Sequence, residues 1–241
     1  GECYSRGVAT FLIMGNVCTR NCSFCSVSHG TPPKLDSLEP DHIVEAVAEL
    51  KLRHVVITSV TRDDLWDGGA SVYALIVKKL KACLPDVTIE LLIPDFKGDA
   101  GALDTVFNSK PDILNHNVET VPQLYPTVRP QASFQRSLEV LKRASDQGLT
   151  TKSGIMVGLG EKSEEVVQTM EALRSSNCSI LTIGQYLQPS ADQIKVVEFV
   201  HPEIFEKYAK TAKELGFSEV SAGPYVRSSY RADQLWNKVT K

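Results

Sequence analysis

No apolar run in this 241-residue chain approaches the roughly 18 residues that a helix needs to cross a bilayer. A membrane-spanning protein is therefore not expected. Charge of one sign is also missing: 26 basic against 29 acidic side chains leave a formal net charge of −3. That balance gives no basic surplus of the kind that holds nucleic acid. The turn at Gly158-Leu-Gly160 lacks the third glycine of a dinucleotide fingerprint, and no Gly-Lys-Ser/Thr follows it. Low-complexity tracts, composition shifts and short-period repeats are absent too, so nothing marks a solenoid or a second domain. Residues 1–241 read as one domain. The sequence opens at Gly1, not methionine, with no secretory signal, so paired disulfides are not expected.

What the chain does carry is an alternation of two periods. Short β-branched or apolar runs bounded by Gly, Pro, Asn or Asp predict strands at 8–14, 54–59, 87–93, 112–118, 151–157 and 179–186. Between them, helical spacing puts Ile43, Val44, Val47, Ala48 and Leu50 on one face. It does the same for Phe134, Leu138, Val140 and Leu141, and for Val166, Val167, Met170 and Leu173. Ser163 before Glu164-Glu165, and Pro202-Glu203, read as helix starts. Six strand–helix units in series predict a parallel sheet with right-handed crossovers. The expected fold class is α/β, a partial (β/α)6 TIM-like barrel. It has an N-terminal extension and, after Gly223, an irregular loop with a terminal helix from about Arg231. A doubly wound open sheet is the competing arrangement.

Half of the six cysteines fall in Cys18-Thr-Arg-Asn-Cys22-Ser-Phe-Cys25, just after the first apolar run and the Gly15-Asn16 turn. Loops leaving strand carboxyl ends are where α/β enzymes place their chemistry. A cubane of four irons normally takes four thiolates. Three leave one iron with an open position, which a catalytic metal needs and a structural one lacks. The competing assignment is a structural zinc site completed by His29. Cys83 and Cys178 have no companion at ligand spacing and read as buried free thiols.

Polar residues at the other strand ends are further candidates. Thr58 and Ser59 end the second strand. Beyond them, Asp67-Gly68-Gly69 fits either a close backbone approach to an anion or a plain turn with an N-cap. The turn Pro94-Asp-Phe-Lys-Gly98 could be only punctuation. Asn115, Asn117 and Glu119 alternate to one face of the fourth strand, where buried polar groups need a ligand, water or one another. Lys152 fits a partner for a ligand carboxylate, or a surface lysine. Gly154, Gly158 and Gly160 suit packing against a flat ring. Gln185 and Gln188 end the sixth strand, and Tyr186 reads as core.

The cysteine run, with Phe24 before its last thiol, resembles the Cys-x3-Cys-x2-Cys signature of the radical S-adenosylmethionine (radical SAM) enzymes. Residues 154–161 are similar to their Gly-x-Ile-x-Gly-x-x-Glu region, which contacts the adenosyl group, with Met156 in place of Ile. The resemblance implies a [4Fe–4S] cluster on Cys18, Cys22 and Cys25, chelated at its fourth iron by S-adenosylmethionine. It also implies reductive cleavage to a 5′-deoxyadenosyl radical. Further phrases, among them Arg62-Asp-Asp-Leu65, Pro94-Asp-Phe-Lys-Gly98, Asn115-His-Asn-Val-Glu-Thr120 and Val226-Arg-Ser-Ser-Tyr230, resemble the lipoyl synthase family and span nearly the whole chain. That family implies sulfur insertion at C6 and C8 of an octanoyl chain carried on a lysine.

The same resemblance implies a sulfur source, an auxiliary [4Fe–4S] cluster held by a Cys-x4-Cys-x5-Cys motif and a serine. Here Cys3, within residues 1–7, matches the third cysteine, and Ser229, within 224–241, matches the serine. The first two cysteines are not in the sequence: either they precede Gly1 or the second cluster is incomplete. If only this segment is ordered, one cluster is expected, with Cys3 lacking its partners. The implied cofactor contacts are Thr58, Ser59, Asn115, Asn117, Glu119, Lys152, Met156, Gly158 and Gln185, and the implied catalytic residues are Cys18, Cys22, Cys25 and Ser229. Implied partners are octanoylated lipoyl domains of 2-oxoacid dehydrogenase acyltransferase subunits, the glycine cleavage H protein, and an electron donor such as flavodoxin or ferredoxin. A basic rim of Arg129, Lys152 or Arg227 would receive the carrier. The implied location is the cytoplasm, or the mitochondrial or plastid matrix in a eukaryote. Two other readings stay open, a sulfur-inserting enzyme like biotin synthase and a non-catalytic iron–sulfur electron carrier. The second would need no polar pocket.

Overall fold

The computed structural model describes residues 6–230 and 232–239; Cys3 and Arg231 lie outside them. The described strands are β1 (Val8–Ile13), β2 (Val17–Cys18), β3 (Ser28–His29), β4 (His54–Ser59), β5 (Thr88–Leu92), β6 (Ile113–Asn115), β7 (Thr150–Val157), β8 (Ile180–Gln185) and β9 (Glu219–Gly223). β2 and β3 pair with each other as a small ribbon that contains Cys18. The other seven form one sheet in chain order, β1-β4-β5-β6-β7-β8-β9, and every neighbouring pair is parallel.

Helices α1 (Glu39–Glu49), α2 (Ala70–Cys83), α3 (Ala100–Asn108), α4 (Tyr125–Val128), α5 (Phe134–Asp146), α6 (Ser163–Ser175) and α7 (Pro202–Glu214) lie between the sheet strands; α8 (Ala232–Val239) follows β9. Chain-order parallel strands linked by helices require crossovers of one hand, which places the helices together on one face of the sheet. There Val55, Ile57 and Leu91 pack with Tyr73, Ile76 and Leu80, and Ile155, Leu181 and Ile183 pack with Met170, Leu173 and Phe205. This is the expected α/β partial barrel.

The structure departs from the sequence expectation in four places. A seventh strand, β9, pairs with β8 at the sheet edge; Glu-Val-Ser-Ala-Gly carries one β-branched residue and gives little strand signal. β6 stops at Asn115, and the chain pairs with β7 again only at Glu119, which takes φ 65° and forms an isolated parallel bridge with Ile155. Leu50 lies past the end of α1 and is 42% exposed, off the buried face of Ile43 and Val47. The start read at Ser163 holds, since α6 begins there and is secured by Lys162 N donating to the Glu165 carboxylate at 2.8 Å. Cys178 is buried as expected, whereas Cys83 is exposed at the end of α2.

On the concave face, side chains from four adjacent strands meet at one carboxylate. Lys152 Nζ donates to Glu90 Oε1 and Oε2 at 2.9 and 3.1 Å, and Asn115 Nδ2 donates to Oε1 at 2.7 Å. His54 Nε2 stands 3.6 Å from Oε2. Burial drives the Glu90 carboxyl upward, but the Lys152 ammonium and then His54 outweigh it and hold the group down at about 2. A carboxyl depressed on folding contributes stability above its unfolded pKa, and that contribution is lost as pH falls through the folded value. Lys152→Met leaves the Glu90 charge buried without its ammonium partner, which should cost about 3–5 kcal/mol in denaturant unfolding at pH 7. The penalty should shrink toward acid as Glu90 protonates; a loss below about 1 kcal/mol at pH 7 would contradict the role given to this pair.

Candidate active site

The cysteine loop leaves β1 through a left-handed turn at Met14 and Gly15, φ 64° and 92°, and the Glu39 carboxylate accepts Met14 N at 2.9 and 3.0 Å. Three sets of bonds then fix it over the strand ends. Thr19 N and Oγ1 both donate to Thr61 O, at 3.0 and 2.9 Å, and Asp63 N donates back to Thr19 Oγ1 at 3.0 Å. The buried Arg20 donates through Nε to Asp63 Oδ2 at 2.8 Å and through Nη2 to Asp95 Oδ1 at 2.6 Å. Ser23 N donates to Val128 O at 3.0 Å, and Ser23 O accepts Ile194 N at 2.9 Å.

Cys18, Cys22 and Cys25 border one small recess with Arg20, Asn21 and Val27. The same thiols line a larger cavity of about 200 Å³ with Leu12, Thr58, Ser59, Leu92, Asn117 and Glu119. An adjoining cavity of about 290 Å³ shares Phe24, Leu92, Asn117 and Glu119, and continues past Gly154, Met156, Thr182 and Gly184 to Arg227 and Ser228. Burial pushes the Cys22 thiol up to about 11 and raises Cys25 as well, so metal binding must expel protons there. Burial likewise raises the Glu119 carboxyl against the pull of Arg129.

The donor set fits a cluster better than a single ion. His29 is exposed and is not among the residues of the thiol recess. Among the described residues, no three His, Cys, Asp or Glu side chains stand close enough together to hold one metal ion. Thiols spread around a shared recess suit a centre several irons wide. The cavity wall also holds a polar vacancy of the kind a ligand fills: Asn117 Oδ1 is buried without a partner. A Cβ on Gly154 would come within 2.8 Å of that oxygen and 2.9 Å of Thr182 Oγ1, so glycine keeps this wall open.

Thr58, Ser59, Asn117, Glu119 and the three cysteines therefore share one cavity, and Met156 lines the next. Several other candidates are used by the protein itself. Asn115 and Lys152 lie in the Glu90 network; Lys152 is neither a surface lysine nor free for a ligand carboxylate. Gln185 borders the second cavity, but its Nε2 donates to Tyr186 O and Glu198 O, and its Oε1 accepts Val200 N, all at 2.9 Å. Gly158 is glycine because a Cβ would sit 2.2 Å from Gln185 Nε2 and 2.4 Å from Glu198 O, which is loop packing and not a ring platform. At Gly69 a Cβ would meet Met14 Sδ at 2.3 Å, while Asp67 accepts Gly69 N and Ser71 N, so that segment is the plain turn. Ser229 is partly buried beside the cavity-lining Ser228 without lining either cavity itself.

Arg129 is not a rim charge. Its Nη1 donates to Asn117 O and Val118 O at 2.8 and 3.1 Å, its guanidinium lies 5.2 Å from the Tyr125 ring centre, and it lines the thiol cavity. Leu12, Leu92, Thr182 and Gly184 were not foreseeable from chemistry; only the alternation of β1, β5 and β8 toward the interior points to them.

A family model described as the Radical SAM superfamily matches residues 12–173. Solved structures share the fold at low identity. Methylornithine synthase superposes with a TM-score of 0.64 at 15% identity, covering 95% of this chain and 77% of that one. The FeFe-hydrogenase maturase of Carboxydothermus hydrogenoformans superposes with 0.66 at 16%, covering 98% and 66%. Three thiols on the loop after the first strand of such a sheet define a radical SAM enzyme, with the [4Fe–4S] cluster and S-adenosylmethionine that the class uses. The chain is 56% identical over 235 residues to the lipoyl synthase of Caldanaerobacter subterraneus subsp. tengcongensis, covering 97% of this chain and 82% of the relative. It is 52% identical over 241 residues to that of Chlorobium chlorochromatii, covering 99% and 82%. It belongs to the lipoyl synthase family.

The C-terminal segment reaches this site by a contact that one methyl group would break. A Cβ on Gly184 would stand 2.2 Å from Val226 O. Gly184→Ala should displace residues 224–230 while leaving the sheet intact. Hydrogen exchange should then show lost amide protection at Val226 and Tyr230 alone; unchanged exchange there would contradict the packing.

Proposed function

We propose that this chain inserts sulfur at C6 and C8 of an octanoyl chain attached to a lysine of a lipoyl carrier domain. The observation that supports this most is a set of three thiols, the only metal-ligating side chains among the described residues of their recess, on the wall of a cavity that is part polar and part apolar. Cys18, Cys22 and Cys25 hold the cluster. When bound, the cluster and S-adenosylmethionine would supply the radical chemistry for hydrogen abstraction at the octanoyl carbon.

The chain's own residues bind, orient and exclude water. Thr58, Ser59, Asn117 and Glu119 meet the polar groups of the cofactor, and Asn117 Oδ1 gains the partner it lacks. Met156 and the bare Gly154 flank its flat part. Leu12, Leu92 and Phe24 receive the acyl chain and keep the radical's path dry. Asn115, Lys152, Gly158 and Gln185 act one step away, by holding strands and loops in register.

Cys3 and Ser229 would be among the ligands of an auxiliary [4Fe–4S] cluster, which would supply the sulfur. Ser229 stands next to cavity-lining Ser228, which would bring a sacrificial cluster to the substrate end. Carriers are octanoylated acyltransferase domains and glycine cleavage H protein, and the electron donor is of the flavodoxin or ferredoxin kind. The chain works as one domain, in the cytoplasm, or in the mitochondrial or plastid matrix of a eukaryote.

Cys18→Ala should lose about four irons per chain on anaerobic reconstitution. It should also drop 5′-deoxyadenosine and lipoyl formation on octanoylated H protein to background. Wild-type protein that carries zinc at this site, or a Cys18→Ala variant that still cleaves the cofactor, would refute the proposal. Ser229→Cys should keep its iron and turn over poorly; normal turnover would remove serine from the sulfur-donating role.

A further inference from the structure

The turn Pro94-Asp-Phe-Lys-Gly98 and the run Arg62-Asp-Asp are not used by the binding chemistry above, yet both send carboxylates to the cysteine loop. We infer that Thr19, Asp63 and Asp95 are positioning residues that set the reduction potential of the cluster, by aiming two backbone N–H groups at Cys18 Sγ and balancing the charge of Arg20. This rests on the assignment of the cluster to Cys18, Cys22 and Cys25.

Thr61 N donates to Cys18 Sγ at 3.3 Å, and Arg20 N donates to the same sulfur at 3.4 Å. Hydrogen bonds to the sulfurs of an iron–sulfur cluster are one of the factors that fix its potential. They draw electron density from the iron and ease its reduction. A metal-bound thiolate is a charged acceptor, so these bonds strengthen once the cluster is in place. Neither donor is held by the thiol motif alone. The Thr19 hydroxyl donates to Thr61 O and accepts Asp63 N, which clamps the 61–63 backbone against Cys18. The Arg20 amide is fixed because its guanidinium is wedged between Asp63 and Asp95.

Charge is balanced in the same place. The Asp95 side chain is fully buried and also accepts Arg136 Nη1 at 3.0 Å and Lys97 N at 3.1 Å. Arg20 and Arg136 thus face Asp63 and Asp95, two cations against two anions. Arg20 lies on the wall of the thiol recess, so its charge would act on the cluster if a carboxylate were removed. The two parts of the device therefore have opposite signs: losing the clamp makes the cluster harder to reduce, and losing a carboxylate charge makes it easier.

The test is an EPR-monitored redox titration of anaerobically reconstituted protein without S-adenosylmethionine, with iron and sulfide counted in parallel. Thr19→Val keeps the side-chain shape and removes the hydroxyl bridge. It should bind full iron with a reduced-to-oxidised ratio about tenfold lower at the wild-type midpoint, which is about 59 mV for one electron. Thr19→Ser should restore the wild-type midpoint. Asp95→Asn keeps the shape and removes one negative charge, and its midpoint should move to a more positive potential. General loosening would move both variants the same way and lose iron; that outcome, or full iron with unchanged midpoints, overturns the inference. Should Thr19→Val fail to fold, the Asp95→Asn shift decides, and no shift or a negative one overturns it. Wild-type protein that takes up no cluster would overturn the cluster assignment instead.

Discussion

The buried pair between Lys152 and Glu90 is the contact on which the rest of the molecule is arranged. It joins β5 to β7 across β6, and Asn115 and His54 bring β6 and β4 to the same carboxylate. An ammonium and a carboxylate taken out of water are costly unless each is closely matched, so the four strands are held to the one arrangement that matches them. That arrangement forms the floor of the barrel. Above it the same strands end in Thr58 and Leu92, the segment after β6 ends in Asn117 and Glu119, and β7 ends in Met156, which together wall the cavity.

A second polar centre lies at the other end of the strands. There Arg20 is held by Asp63 and Asp95, and the Thr19 hydroxyl joins the cysteine loop to the segment after β4. The two centres divide the work. The lower one fixes strand register, and the upper one fixes a loop that has almost no regular structure of its own beyond the two-residue β2. Between them lies a cavity whose polar side carries an unpaired Asn117 oxygen and whose other side is apolar, the combination a radical enzyme with a fatty-acyl substrate requires. The side of the mouth nearest the C-terminus is closed by the segment lying across Gly184.

How much of this the residues disclosed depended on whether the information was local. The cysteine spacing, six strands and the helices between them are local patterns, and each was legible. β9 was not, because its sequence is mostly small and polar and its pairing partner supplies the order. Lys152 looked like a surface or ligand-binding lysine because its partner Glu90 is 62 residues away in sequence. Asp95 looked like turn punctuation because Arg20, which explains it, is 75 residues distant. Gln185 and Gly158 sit at the ends of strands, where a site was expected, but a loop from residues 186–200 uses both. Residue type and strand position located the site; long-range pairing decided which polar groups were free to act in it.

The central claim is that three thiols hold a cluster with one iron open to the cofactor. Mössbauer spectroscopy of anaerobic protein reconstituted with 57Fe, before and after S-adenosylmethionine is added, measures it most directly. The expected result is a [4Fe–4S] spectrum in which about one iron in four changes its environment on addition. A spectrum that the cofactor leaves unchanged, or a centre in which all irons are already equivalent and fully ligated, would contradict it.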